Sequence, residues 1–188
     1  MVDEVAPGVA LLDLVSPAGE SVGSCPVGEG HAAPGRLHRA FSVFVLNGDG
    51  SVLLQRRALD KARFPGLWTN TCCSHPGPGQ DLLAAASARL GEEMGLVGVT
   101  LSERGTFVYR AADRASDAVE SEFDHVLVGY SGANPRPHPG EVAEWAWVMP
   151  ERLAQDLAAE PGRFTPWLAP AAAIALGGLS QAHTWAGS

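Results

Sequence analysis

Cys73 and His75 stand two residues apart in Phe64-Pro65-Gly66-Leu67-Trp68-Thr69-Asn70-Thr71-Cys72-Cys73-Ser74-His75-Pro76. A thiol can serve as acid, nucleophile or metal ligand, and an imidazole as base or ligand. Taken alone, the pair equally fits a structural cysteine beside a satisfied histidine. Two further imidazoles, His31 and His38, lie in a Gly- and Pro-rich stretch, where isolated histidines are usually just solvated. Glu120 and Glu122 form Glu-x-Glu at the start of Val119-Glu120-Ser121-Glu122-Phe123-Asp124-His125. The two-residue period of a strand puts both carboxylates on one face, where they repel unless a cation or proton sits between them. His31, His38, His75, Glu120 and Glu122 thus offer three nitrogens and two carboxylates, a donor set suited to one Mn2+, Mg2+ or Zn2+ ion. The plain alternative for the two glutamates is an exposed acidic edge.

Glu92 and Glu93 form a second acidic pair, near the end of Ala86-Ser87-Ala88-Arg89-Leu90-Gly91-Glu92-Glu93-Met94-Gly95-Leu96. Carboxylates at a helix end can hold Mg2+ or Mn2+ while a ligand supplies the remaining oxygens. Read alone, the pair is equally a solvated acidic turn. Arg57, Lys61 and Arg89 are cations that suit phosphate, the arginines through a forked donor set and the lysine as a compact charge. Thirteen Lys and Arg against 21 Asp and Glu give a formal charge of −8. That balance disfavours nucleic acid or an anionic membrane as partner. It also requires any phosphorylated ligand to be held by a local basic cluster or through a divalent cation.

The positioning elements follow from periodicity and turn residues. Val9–Val15 reads as a strand, 23–36 as Gly- and Pro-rich loop, and Ala40–Leu46 as a strand. Asn47-Gly48-Asp49-Gly50 forms a hairpin turn and Ser51–Arg57 the return strand. Residues 65–79 read as irregular. Asp81 caps a helix to Met94, stopped by Gly95, with an apolar stripe of Leu83, Ala86, Leu90 and Met94 and with Arg89 and Glu93 on another face. Strands are expected near Gly105–Arg110, Phe123–Tyr130 and Glu144–Val148. A helix is expected near Glu151–Glu160, and another from about Pro166 to Leu176. This order implies α/β (α+β), a mixed sheet flanked by helices.

At 188 residues, with 46% hydrophobic and 18% charged side chains, the chain suits one packed domain rather than a disordered polymer. We expect an N-terminal extension of about 1–37, a core of about 38–168 and a C-terminal helix of about 166–178. No apolar run reaches the ~18 residues of a membrane span, and the acidic N-terminus does not read as a signal peptide. Cys25, Cys72 and Cys73 are odd in number and lack framework spacing, which points to a reducing, cytoplasmic setting. No obligatory protein partner is inferred.

Two stretches resemble known families. The tail Glu-Glu-x-Gly-apolar of the 86–96 segment is similar to the end of the Nudix box, a loop–helix–loop that binds divalent metal and diphosphate. Ala88 and Arg89 depart from the Arg-Glu usual in Nudix hydrolases, and Ser74 and Gln80 replace the leading Gly and Glu, which weakens a hydrolytic reading. Pro-Gly-x-Trp-Thr-Asn-x-x-Cys-x-His-Pro, in 65–76, resembles the signature of type I isopentenyl diphosphate isomerases, which are Nudix relatives. The spacing of His31 and His38, the Arg56-Arg57-Ala58-Leu59-Asp60-Lys61 segment, Phe164-Thr165-Pro166-Trp167 and Phe107-Val108-Tyr109-Arg110-Ala111 continue that resemblance in family order.

The resemblance implies a Nudix-type fold and isomerisation of isopentenyl diphosphate to dimethylallyl diphosphate through a tertiary carbocation, in isoprenoid biosynthesis. It implies Cys73 on one face of the alkene, Glu122 with Tyr109 on the other, and Trp167 stabilising the cation through its ring face. It further implies Arg57, Lys61 and Arg89 on the substrate diphosphate, Mg2+ bridging Glu93 to that diphosphate, and a second ion at the three-histidine, two-glutamate set. Family members often carry a Lys shortly before the first His; 24–30 contains none, so either diphosphate binding is weaker or another cation, such as Arg36, compensates. A Nudix pyrophosphohydrolase and a non-catalytic, metal-stabilised binding module are the alternatives.

Overall fold

The computed structural model describes residues 10–177. Its centre is a mixed sheet built on β3 (His38–Leu46). β3 pairs in parallel with β8 (Val119–Tyr130) along its whole length, His38 opposite Glu122 and Leu46 opposite Tyr130. β4 (Val52–Arg57) returns antiparallel from the Asn47–Gly50 turn, whose Asn47 side chain accepts from the backbone of Asp49 and Ser51. β7 (Ser102–Ala112) extends the sheet beyond β8, and β9 (Val142–Val148) extends it beyond β4.

Alternation along β3 and β8 makes two cores. Phe41, Val43, Val45 and Leu127 face α2 (Leu82–Met94), while Phe44, Val126 and Val128 face α3 (Pro150–Ala159) and α4 (Leu168–Ala175). Phe41 and Phe44 are each essentially sealed from solvent, a contribution of roughly 1.5–3 kcal/mol per side chain. Asp81 caps α2 as expected, accepting from Ala84 N at 2.8 Å. Gly95 ends it in the left-handed region at φ 66°, and a Cβ there would lie 2.7 Å from the Arg136 carbonyl, so only glycine fits without strain.

Several expectations need correction. The stretch 23–36 is not all loop. It holds most of β2 (Ser21–Pro26), paired with β1 (Leu11–Val15), and the one-turn helix α1 (Val27–His31). Pairing with β1 overrides the weak strand preference of its glycine and proline. The irregular stretch 65–79 contains two short strands, β5 (Trp68–Thr69) and β6 (Cys72–Ser74), the latter paired with β3. Leu83 is exposed at 41%; Leu82, four residues before Ala86, packs on the core instead. The expected strands near 105, 123 and 144 begin earlier, at Ser102, Val119 and Val142. The last helix spans Leu168–Ala175; Val9 and residue 178 lie outside the described residues.

Candidate active site

β6 decides which cysteine reaches the cleft. Adjacent residues of a strand point to opposite faces. Cys72 goes into the α2 core with no exposed surface, and Cys73, paired with Ser42 on β3, turns to the other face and lines a cleft of about 320 Å³. The same cleft is lined by Arg57, Lys61, His75, Arg89, Tyr109, Glu120, Glu122 and Trp167. Burial pushes the Cys73 thiol up to about 12, against the lowering influence of Arg57. It is held as a thiol rather than a thiolate.

His31, His38, His75, Glu120 and Glu122 converge. One ligand atom from each lies within 4.8 Å of all the others, and the three imidazole centroids are 4.8–5.1 Å apart. α1 delivers His31, the first residue of β3 delivers His38, the exit of β6 delivers His75, and β8 delivers both carboxylates. His31 Nδ1 meets the Val27 carbonyl and His38 Nδ1 the Arg36 carbonyl, each at 2.7 Å. A carbonyl only accepts, so Nδ1 carries the proton and Nε2 of a neutral ring presents a lone pair. Those lone pairs point at carboxylates: His31 Nε2 is 2.8 Å from Glu120 Oε2 and His38 Nε2 is 3.6 Å from Glu122 Oε1. His31 Nε2, His38 Nε2 and Glu120 Oε2 are buried and have no hydrogen-bond partner. Buried acceptors facing one another cost free energy unless a cation satisfies them, so the donor set fits a divalent metal. Burial lowers the His75 pKa, favouring the neutral, ligating imidazole. Burial works against charge on Glu122 too, yet the neighbouring His38 and His75 rings outweigh it and hold the carboxyl well below the usual carboxylate range.

Tyr109 lies opposite Glu122 across the β7–β8 pair and donates its hydroxyl to Glu122 Oε2 at 2.5 Å. Burial and the neighbouring carboxylates push the phenol well above its ordinary range, so it remains a donor. Trp167 is buried, donates Nε1 to Asn70 Oδ1 at 3.2 Å, and has its ring centroid 5.8 Å from that of Tyr109.

The basic group assembles from three elements. Arg57 gives Nε and Nη2 to the Arg63 and Phe64 carbonyls, and its Cζ lies 5.9 Å from the Trp167 ring centroid. Lys61 pairs with Glu141. Arg89 Nη2 is 2.5 Å from Glu93 Oε1 and 3.4 Å from Glu141 Oε1. Glu93 itself is buried behind Arg89, and Gln55 Nε2 donates to its other oxygen at 3.0 Å. Arg36 is not among the residues lining the cleft and sits beside Cys25; the extra cation at the cleft is Arg63.

Sequence reasoning missed four residues here. Asp124 continues the Glu120–Glu122 period, and that spacing could have found it. It is buried, accepts from Ser42 Oγ at 2.7 Å, and is pushed well above the ordinary carboxyl range by burial and Glu122. Arg63, Gln55 and Glu141 make their contacts across 38 to 80 residues of chain, and no local pattern announces them.

Comparison with known proteins agrees with this geometry. Residues 36–168 match the NUDIX domain. The chain is 54% identical over 164 residues to isopentenyl-diphosphate Delta-isomerase of Nocardia farcinica, covering 87% of this chain and 93% of that one. It is 47% identical over 157 residues to the isomerase of Streptomyces griseus, covering 84% and 79%. Among solved structures, a Deinococcus radiodurans protein superposes with a TM-score of 0.70 at 23% identity, over 86% of this chain and 96% of that one. The MutT protein of Methanosarcina mazei does so with 0.59 at 18%, over 72% and 90%, and both show the fold alone. The chain belongs to the NUDIX superfamily and, within it, to the isopentenyl-diphosphate Delta-isomerase family.

Proposed function

We propose that the protein converts isopentenyl diphosphate to dimethylallyl diphosphate, in isoprenoid biosynthesis. The observation that carries the reading is one cleft lined by a half-buried thiol, a tyrosine-held carboxylate and an indole. An unactivated alkene needs a protonated acid fixed beside its terminal carbon, a base for a different carbon, and a pocket that keeps water from the cation.

Cys73 gives its proton to the terminal methylene carbon of the substrate. The alkene π pair forms the new C–H bond and leaves a tertiary cation at the adjacent carbon. Glu122, oriented by the Tyr109 hydroxyl, accepts a proton from the carbon on the diphosphate side, and that C–H pair becomes the new double bond. Trp167 presents its ring face to the cation, an attraction of about 2 kcal/mol when desolvated. Proton return from the Glu122–Tyr109 side to the Cys73 thiolate, through the departing product or solvent, closes the cycle without net change.

His31, His38, His75, Glu120 and Glu122 would hold the divalent ion, with Mn2+, Zn2+ or Mg2+ as the candidates. When bound, the ion supplies positive charge that fixes the two carboxylates and keeps Glu122 ionised. Arg57, Lys61 and Arg89 hold the diphosphate. A Mg2+ held by Glu93 would share that task by adding positive charge beside the diphosphate. The reading treats the chain as one isomerase domain. It places the protein in the cytoplasm without nucleic acid, membrane or obligatory protein partner; among the described residues no helix is long and apolar enough to cross a membrane.

The test is incubation of isopentenyl diphosphate with protein and Mg2+. Dimethylallyl diphosphate in the mixture supports the reading. Phosphate or pyrophosphate release without it would favour a hydrolase, and neither product a binding module.

A further inference from the structure

Arg63 is the cation at the cleft that touches the metal-binding set directly. Its Nε donates to Glu120 Oε1 at 2.8 Å, while the other oxygen of that carboxylate, Oε2, faces His31 Nε2. Glu120 is only 4% exposed, so its orientation is set by these two neighbours. The backbone of Arg63 works as well: its carbonyl accepts from Arg57 Nε and Nη2. The turn that allows both contacts is held in an unusual conformation. Phe64 has φ 47°, rare for a bulky residue, and its N–H is tied to the buried Asp113 carboxylate at 3.1 Å.

The other cations of the cleft are engaged differently. Arg57 spends Nε and Nη2 on carbonyls, Lys61 is paired with Glu141, and Arg89 spreads over Glu92, Glu93 and Glu141. Arg63 uses Nε alone; among the described residues its Nη1 and Nη2 make no hydrogen bond, and the side chain is 25% exposed in the cleft wall. The Nε–H of a planar guanidinium is therefore committed to a carboxylate, and the four N–H donors of its two terminal nitrogens stay available in the geometry that matches phosphate oxygens.

We propose that Arg63 is a positioning residue that couples the metal centre to the diphosphate: Nε orients Glu120 so that Oε2 is directed at the imidazole cluster, and Nη1 and Nη2 bind the diphosphate in the cleft. The proposal rests on the isomerase reading for the identity of the anion. A group bound to both partners makes their affinities interdependent. Metal on Glu120 draws charge away from Oε1 and leaves more of the guanidinium's field for the diphosphate.

The test uses two variants, Arg63→Gln and Arg63→Lys, with thermal melting as the check on folding. The Mn2+ affinity of metal-stripped protein is measured by electron paramagnetic resonance of the free ion. The affinity of Mn2+-loaded protein for inorganic pyrophosphate with Mg2+ is measured by calorimetry. Arg63→Gln is expected to weaken Mn2+ binding by about tenfold, the lower end of what loss of a residue behind a metal ligand costs, and pyrophosphate binding by about tenfold, one lost charge-assisted contact. Arg63→Lys is expected to recover part of the pyrophosphate affinity, because a charge remains, and little of the Mn2+ affinity, because the ammonium lacks the planar edge that orients Glu120. Either affinity staying within about twofold in Arg63→Gln overturns the proposal. The isomerase reading fails separately: unsubstituted protein that binds both probes, loses both in Arg63→Gln, yet never yields dimethylallyl diphosphate would keep the coupling and remove the isomerase.

Discussion

The Tyr109 hydroxyl donates to Glu122 Oε2 at 2.5 Å across the β7–β8 pair, while His75 Nε2 lies 2.8 Å from Oε1 of the same carboxylate. Glu122 is thus held from both sides, one oxygen towards the imidazole cluster and the other by a phenol that stays protonated. In Tyr109→Phe the aromatic packing remains and only the donor goes. A hydrogen bond to a charged group is worth about 1.5–3 kcal/mol, so kcat should fall about 10- to 100-fold with an unchanged fold. Steady-state kinetics beside a thermal melt checks this; an unchanged kcat would remove Tyr109 from the reaction.

Cys72 and Cys73 should separate cleanly. Cys73→Ala should abolish isomerisation while metal content and melting stay as they were, because no other thiol lines the cleft among the described residues. Cys72→Ala should cost about 1 kcal/mol of stability, since its side chain is packed with Phe41, Leu90 and Met94. A Cys72→Ala protein that folds but does not turn over would reverse the assignment.

The protonation of Cys73 gives a pH prediction. Folding raises its pKa from the ordinary 9.0 to about 12. The folded state then keeps a proton that the unfolded chain releases between those values. The contribution to stability is fully present below pH 9 and is lost as pH rises through about 12. Alkylation of Cys73 by iodoacetamide, which requires the thiolate, should accordingly be far slower than that of a free thiol at pH 8 and should keep rising about tenfold per pH unit beyond pH 9. A rate that levels off near pH 9 would show an ordinary thiol.

Removing one imidazole should unload the metal. His38 is fully buried and its Nε2 has no protein donor, so His38→Ala leaves both a cavity and an incomplete donor set. Metal content measured by plasma mass spectrometry should drop roughly tenfold or more, and chelator should lower the melting temperature of the unsubstituted protein far more than that of the variant. Equal metal content in the two proteins would contradict the assignment of these five ligands.

The sequence announces what is local or periodic. The Asn47–Gly50 turn, the Asp81 and Gly95 ends of α2, and the Cys73–His75 spacing each rest on a few adjacent residues, and the structure keeps all of them. Glu120 and Glu122 share a face because β8 is a strand, which the spacing required. What escaped depends on partners distant in the chain. β2 forms because β1 is available to pair with it, despite Gly23 and Pro26. Leu83 is exposed and Leu82 packs on the core because contact with the sheet, not the apolar count of α2, selects the buried face. Arg63 reaches Glu120 across 57 residues because Asp113 holds the turn at Phe64.

Isomerisation in deuterium oxide tests the central claim most directly. Protein, Mg2+ and isopentenyl diphosphate are followed by proton and phosphorus nuclear magnetic resonance. The thiol of Cys73 exchanges with solvent, so its transfer to the terminal carbon should place deuterium in a methyl group of dimethylallyl diphosphate, with the diphosphate intact. Cys73→Ala under the same conditions should give neither exchange nor product. Appearance of free phosphate or pyrophosphate with no deuterium entering carbon would contradict an acid–base isomerase and point to a hydrolase on the same fold.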